Sequence, residues 1–187
     1  MLNMIACKNS DDRYFNGYKV LLGAKMYHTK DRKIDVSNEI YGHLCNGKIV
    51  ILDLSVGNAA LRDKLSKKIA AYIFNSSMDC FTRGETPPNI VLYIEEAHNL
   101  IGKENKLTDT WPRIAKEGAK YRISLVYATQ EVSSVHPNIL ANTENWIVSH
   151  INSEREVREL AKFYDFSDFS KSLLRSQDVG FSRVKTL

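Results

Sequence analysis

Asn89-Ile-Val-Leu-Tyr-Ile-Glu-Glu-Ala-His98 sets a nearly continuous apolar run directly against two adjacent carboxylates, and its reading decides the fold. An unbroken apolar run of this length predicts a short strand covered on both faces, the pattern of a parallel sheet. Ile49–Leu54 upstream and Ile123–Ala128 downstream have the same character, and Asn145–His150 and Val179–Val184 complete five predicted strands. Between the first two strands, Leu61, Leu65, Ile69, Tyr72 and Ile73 recur at helical spacing and predict a helix over Ala59–Met78. Pro87 and Pro88 then mark a loop, and Thr110-Trp-Pro-Arg113 reads as a threonine cap with proline in the first helical turn. Ser153-Glu-Arg-Glu156 has the capping-box spacing ahead of Val157, Leu160, Ala161 and Tyr164. Strands alternating with helices imply crossover connections and an α/β fold with a mainly parallel sheet. In the first 45 residues, Tyr14, Phe15, Tyr18, Tyr27 and Tyr41 fit either core padding or an edge hairpin.

The chain has 187 residues, enough to close one sizeable core. Its 43% hydrophobic and 26% charged residues, with 9 glycines and 4 prolines, exclude a disordered or collagen-like chain. Uncharged apolar runs such as Ile90–Ile94 are far short of the roughly 18 to 20 residues that a membrane-crossing helix needs, so a soluble chain with no membrane partner is expected. Cys7, Cys45 and Cys80 are odd in number and widely spaced, which argues against a disulfide framework or a cysteine-rich zinc site and for a reducing, cytoplasmic setting. The net charge of +4 is mild; the basic run Lys19–Lys33 fits a solvated face as well as a phosphate contact.

Parallel α/β sheets carry their chemistry beyond the carboxyl ends of the strands, which directs attention to Ser55, Glu95–His98, Gln130 and Ile151–Ser153. Two carboxylates after a buried strand suit magnesium-nucleotide chemistry: one holds the metal's water shell and the next orients and deprotonates the attacking water. The stretch looks like a Walker B motif. The same acids could equally cap a short following helix, where its dipole favours them. His98 reads as a hydrogen-bonded orienter, since no second histidine stands at ligand spacing. Leu125-Val-Tyr-Ala-Thr-Gln130 ends in an amide that can donate and accept at once, as a γ-phosphate sensor does, or it is a plain strand-ending turn. Gly42-His-Leu-Cys-Asn-Gly47-Lys48 matches the phosphate-loop spacing, but Ile49 stands where a hydroxyl is needed and no strand precedes it. Asn46-Gly47 is therefore read as a turn.

Taken in order, Gly47-Lys-Ile-Val-Ile-Leu-Asp-Leu-Ser55, Ile94-Glu-Glu-Ala-His-Asn-Leu100, Arg113-Ile-Ala-Lys-Glu-Gly-Ala-Lys-Tyr121, Ala128-Thr-Gln130 and His136-Pro-Asn-Ile-Leu140 resemble HerA-like ATPases of the HerA/FtsK superfamily. The resemblance implies a three-layer, mainly parallel sheet of the P-loop, RecA-like NTPase type. It implies ATP and Mg as cofactors, a homo-oligomer, as a hexameric ring, with ATP between subunits, and double-stranded DNA as the partner, often beside a nuclease or other effector. By position it makes Glu96 the catalytic glutamate, Glu95 the acidic residue that holds Mg through water, and Gln130 the sensor. Glu117-Gly-Ala-Lys-Tyr121 corresponds to a stretch that supplies a basic finger to the neighbouring subunit; Ala119 occupies its arginine position, and Lys120 is the candidate finger. No G-x-x-x-x-G-K-[ST] occurs in the 187 residues. The expectation is that residues 46–187 form the C-terminal portion of the ATPase core, that residues 1–45 are a segment of open structure or an insertion in that core, and that the isolated chain does not turn over ATP. Two alternatives are a non-catalytic assembly module and a DEAH-box helicase core, the latter one carboxylate homologue away at Glu95-Glu-Ala-His98.

Overall fold

The computed structural model describes residues 35–54, 59–163, 165, 169–175 and 180–186. All but Asp35 belong to one compact unit, Val36–Leu187. Residues 1–34, and with them Tyr14, Phe15, Tyr18, Tyr27 and the basic run, lie outside the described residues, as do Ser55, Tyr164 and Val179.

The chain enters through helix α1 (Val36–Cys45), which buries Ser37 and Ile40. Tyr41 therefore sits on a helix, where its ring meets that of Tyr72 edge-on at 6.2 Å. The helix ends in a double-bonded cap: Lys48 N donates to His43 O at 3.1 Å and Gly47 N to Leu44 O at 3.0 Å, with Gly47 at φ 69°. That left-handed position is open to glycine at little steric cost. The G-x-x-x-x-G-K spacing is thus the carboxyl end of a helix, the wrong pole to hold phosphate.

Helix α2 (Ala59–Thr82) runs four residues beyond its predicted end. It stops by the same device, with Glu85 N on Cys80 O, Gly84 N on Phe81 O and Gly84 at φ 77°, before the two prolines. Its inner face carries Ile69, Ala70, Ile73 and Phe74 into the core. Strand β1 (Ile90–Ile94) pairs in parallel with β2 (Ile123–Tyr127), Ile90 opposite Ile123 and Ile94 opposite Tyr127. The crossover between them contains α3 (Thr110–Glu117) and a 3-10 turn, Gly118–Tyr121. The cap of α3 is Asp109 rather than Thr110, which is its first helical residue. Beyond β2 come α4 (Pro137–Ala141), β3 (Trp146–Val148), α5 (Glu154–Leu160), α6 (Ser170–Arg175) and β4 (Arg183–Lys185).

Two expectations are corrected. Among the described residues there is no single mainly parallel sheet: β1 and β2 form a parallel pair, and β3 and β4 a separate antiparallel pair. Ile49–Leu54 forms no strand, and Ile49 and Ile51 are 92% and 90% exposed. Apolar content makes a run eligible for a sheet, but a ladder requires a neighbour, and β1 and β2 pair only with each other. The three-layer arrangement is likewise incomplete. Ile90, Ile94 and Ile123 share a core with Ile73, Phe74 and Ile114, whereas Val91, Tyr93 and Val126 on the opposite face are exposed. Strand side chains alternate, so a continuous apolar run leaves half its residues bare when only one face is covered.

Candidate active site at the strand tips

The tips of β1 and β2 are held together by backbone before any side chain is considered. Ala128 N donates to Ile94 O, and Ala97 N to Ala128 O, both at 2.9 Å. These bonds turn the chain sharply after Ile94 and place Glu96 at φ 49°, ψ 48°, a left-handed conformation that is rare for a side-chain-bearing residue. It carries about 1–3 kcal/mol of strain, of the kind that collects at functional sites.

From that position the Glu96 carboxylate meets the β2 tip. Gln130 Nε2 donates to Glu96 Oε1 at 3.3 Å. His98 Nδ1 lies 3.5 Å from Glu96 Oε2 and 3.3 Å from Thr129 Oγ1, and its Nε2 lies 3.3 Å from Asn99 Nδ2. His98 is thus bridged between the two strand ends. Glu95 points to other company: Tyr93 Oη donates to Glu95 Oε1 at 2.5 Å, and this bond to a carboxylate pushes the Tyr93 phenol above its ordinary pKa. Residues 93 and 95 share a face by strand alternation, which is the signal that pairs them.

Glu95, Glu96 and Gln130 therefore stand at one end of the parallel pair, with Glu96 and Gln130 in contact and both acids exposed. Lys120 stands at the other. It precedes β2, whose five residues rise about 16 Å, and its Nζ lies 5.4 Å from the Phe81 ring centre and 5.5 Å from that of Tyr121. Among the described residues no cluster of three or more His, Cys, Asp or Glu could hold a metal ion by itself. Magnesium needs less, since it takes one or two carboxylates and completes its shell with water and phosphate oxygens; Glu95 and Glu96 fit that donor set. Thr129, Asn99 and Tyr93 were not singled out from sequence.

No protein-family profile matches the chain. Over 150 residues, 77% of the chain, it is 29% identical to the DNA double-strand break repair helicase HerA of Saccharolobus solfataricus, covering 30% of that protein. Over 129 residues, 65% of the chain, it is 29% identical to the protein of the same name from Sulfolobus acidocaldarius, covering 26% of it. A 61-residue stretch, 32% of the chain, is 39% identical to the Sulfurisphaera tokodaii protein of that name and covers 12% of it. The chain thus spans under a third of the length of these curated relatives. Among solved structures, the genome packaging NTPase B204 of Sulfolobus turreted icosahedral virus 2 superposes with a TM-score of 0.55 in its sulfate complex, at 16% identity. Its complex with ATP-gammaS gives 0.54 at 13% identity, and each match covers 79% of this chain and 71% of the other. At such identities the likeness establishes the fold alone. No helix among the described residues is long and apolar enough to cross a membrane. The chain is thus similar in sequence to part of three HerA proteins and similar in fold to a packaging NTPase.

Proposed function

We propose that the chain is part of an ATP-hydrolysing HerA-like motor that translocates or unwinds double-stranded DNA. In this reading Glu96 is the general base for the attacking water, and Gln130 is the sensor that contacts that water or the γ-phosphate. The observation that carries it is the meeting of Glu96 and Gln130 across two parallel strand tips, with the Glu96 backbone held left-handed to achieve it. The names of the relatives, which speak of DNA repair helicases, support DNA as the partner.

The chain's own residues divide the work. Gln130 bonds one oxygen of Glu96 and His98 Nδ1 stands 3.5 Å from the other, so the carboxylate is flanked on both sides before a water arrives. Gln130 spends one amide hydrogen on Glu96 and retains a second hydrogen and a carbonyl to read water or phosphate. Magnesium, when bound, neutralises phosphate charge; Glu95 would hold it through water, with Glu96 beside it. Lys120, distant from these tips, would serve a neighbouring subunit of a homo-oligomer, a hexameric ring, and a nuclease or other effector would act beside it.

The test is Glu96→Gln in any longer protein that joins this chain to a phosphate-binding loop. Nucleotide binding should persist while turnover falls by about 10² to 10⁴-fold, because an amide keeps the shape but accepts no proton. Steady-state turnover near the unmodified rate would overturn the assignment.

A further inference from the structure

The Ser153-x-x-Glu156 capping box is only half made. Ser153 Oγ accepts from Arg155 N at 3.2 Å, as a cap should. Glu156, whose carboxylate in such a box would turn back to the N-cap amide, instead reaches 23 residues away. Ser133 N donates to Glu156 Oε2 at 2.7 Å, and Ser133 Oγ to Glu156 Oε1 at 2.5 Å. Both oxygens of one half-buried carboxylate are thus committed to one residue, and charge-assisted pairs of this kind are the stronger hydrogen bonds of a protein. The first turn of α5 favours the negative charge that makes them.

Ser133 lies in the 3-10 turn Val132–Ser134, three residues after Gln130. From Gln130 to Ser134 the side chains otherwise bond within the segment or to its neighbour Thr129: Glu131 N donates to Thr129 Oγ1 at 3.1 Å and Ser134 Oγ to Glu131 Oε2 at 2.9 Å. Among the described residues, the segment's side-chain hydrogen bonds to the rest of the fold beyond Thr129 are Gln130 on Glu96 and Ser133 on Glu156, while Val132 packs against the core. The first is long and exposed; the second is short and sheltered.

We propose that Glu156 is a positioning residue for Gln130: by gripping Ser133 it holds the loop beyond β2 so that the amide stays on Glu96. This rests on the reading of Glu96 and Gln130 as base and sensor. Glu156→Ala removes both acceptors and should lower kcat about 10-fold in any longer protein that joins this chain to a phosphate-binding loop, with KM for ATP unchanged, since misplacement of an orienting group acts on the chemical step. Glu156→Gln should restore most of the rate, because its carbonyl accepts from Ser133 N–H and its amide donates to Ser133 Oγ. Ser133→Ala, which keeps the backbone bond, should fall between them.

A readout independent of turnover is the side-chain amide resonances of Gln130 in the 187-residue chain. Glu156→Ala should move them toward the positions they take in Glu96→Ala, and Glu156→Gln should not. If the unmodified protein hydrolyses nothing, the proposed function fails, and these resonances still decide the positioning role. Should Glu156→Ala fail to fold, Ser133→Ala and Glu156→Gln carry the test. Positioning by Glu156 is overturned if Glu156→Ala, or in its place Ser133→Ala, leaves both kcat and the Gln130 resonances unmoved, or if Glu156→Gln loses as much as alanine.

Discussion

The two ends of the β1–β2 pair are built from opposite materials. At the amino end, Tyr121 packs edge-on against Phe74 at 5.3 Å and Phe81 at 5.6 Å, Arg113 lies 4.8 Å above the Phe74 ring, and Phe74 and Tyr121 are buried. At the carboxyl end the meeting groups are Glu96, Gln130, His98 and Thr129, joined by hydrogen bonds of 3.3 Å and a 3.5 Å contact from His98 Nδ1 to Glu96 Oε2, with Glu96 and Gln130 exposed. One end is packed chiefly with aromatic rings and the other is polar and open to water. Packing is therefore concentrated where the strands begin, and the groups of the proposed site stand where they finish, so that they can be polar without endangering the core.

The largest effect that separates the two ends is expected from Phe74→Ala. Losing a buried ring that touches Tyr121 and Arg113 should cost about 3–5 kcal/mol in urea unfolding, while a Glu96→Gln control should leave the unfolding midpoint nearly where it was. If Phe74→Ala unfolds no more easily, the amino end is not the anchor described here. A smaller effect would blur the division. Lys120 lies at the amino end, yet in the proposed ring it would serve the neighbour's nucleotide, so Lys120→Ala should slow turnover at least about 10-fold in any longer protein that joins this chain to a phosphate-binding loop. Its contacts over the exposed edge of Phe81 are worth little, so the melting temperature should hardly change. Turnover that is indifferent to Lys120 would confine chemistry to the carboxyl end alone.

The smallest effect lies in titration. The Glu95 carboxylate accepts from the Tyr93 hydroxyl and holds its pKa up, so the folded state binds that proton more tightly than the unfolded chain. The contribution to stability is present below the ordinary tyrosine pKa and is lost as pH rises through the raised one. Glu95→Gln should shift the Tyr93 transition, followed by ultraviolet absorbance, toward lower pH. An unshifted transition would detach Glu95 from Tyr93 and loosen the description of the carboxyl end.

Much of this molecule was legible in its sequence, for identifiable reasons. Ile90–Ile94 and Ile123–Tyr127 announce themselves because their inward residues are large, apolar and unbroken, and the acids and amide after them stand where a parallel pair brings strand ends together. Gly42–Lys48 could be set aside because a phosphate loop needs a helix amino end, and the structure has a carboxyl end there. Ile49–Leu54 reads the same as a strand and is none, since hydrophobicity does not say whether a ladder partner is present. The helix Val36–Cys45 was missed because Ser37, Asn38 and Gly42 weaken its propensity and it buries only a narrow stripe. The left-handed Glu96 leaves no trace in composition, being set by the amides of Ala97 and Ala128. Glu156 was recognised, but for a local partner; a pattern three residues long cannot report a bond to Ser133.

The left-handed backbone at Glu96 also governs how this chain can change. Glycine adopts that conformation without the penalty a glutamate bears, about 1–2 kcal/mol for a residue with a Cβ. Selection for folding alone would thus drift toward glycine at position 96 and discard the carboxylate, while selection for turnover would resist it. At that one position backbone ease favours glycine while the proposed base requires the carboxylate, so robustness and the proposed activity pull in opposite directions.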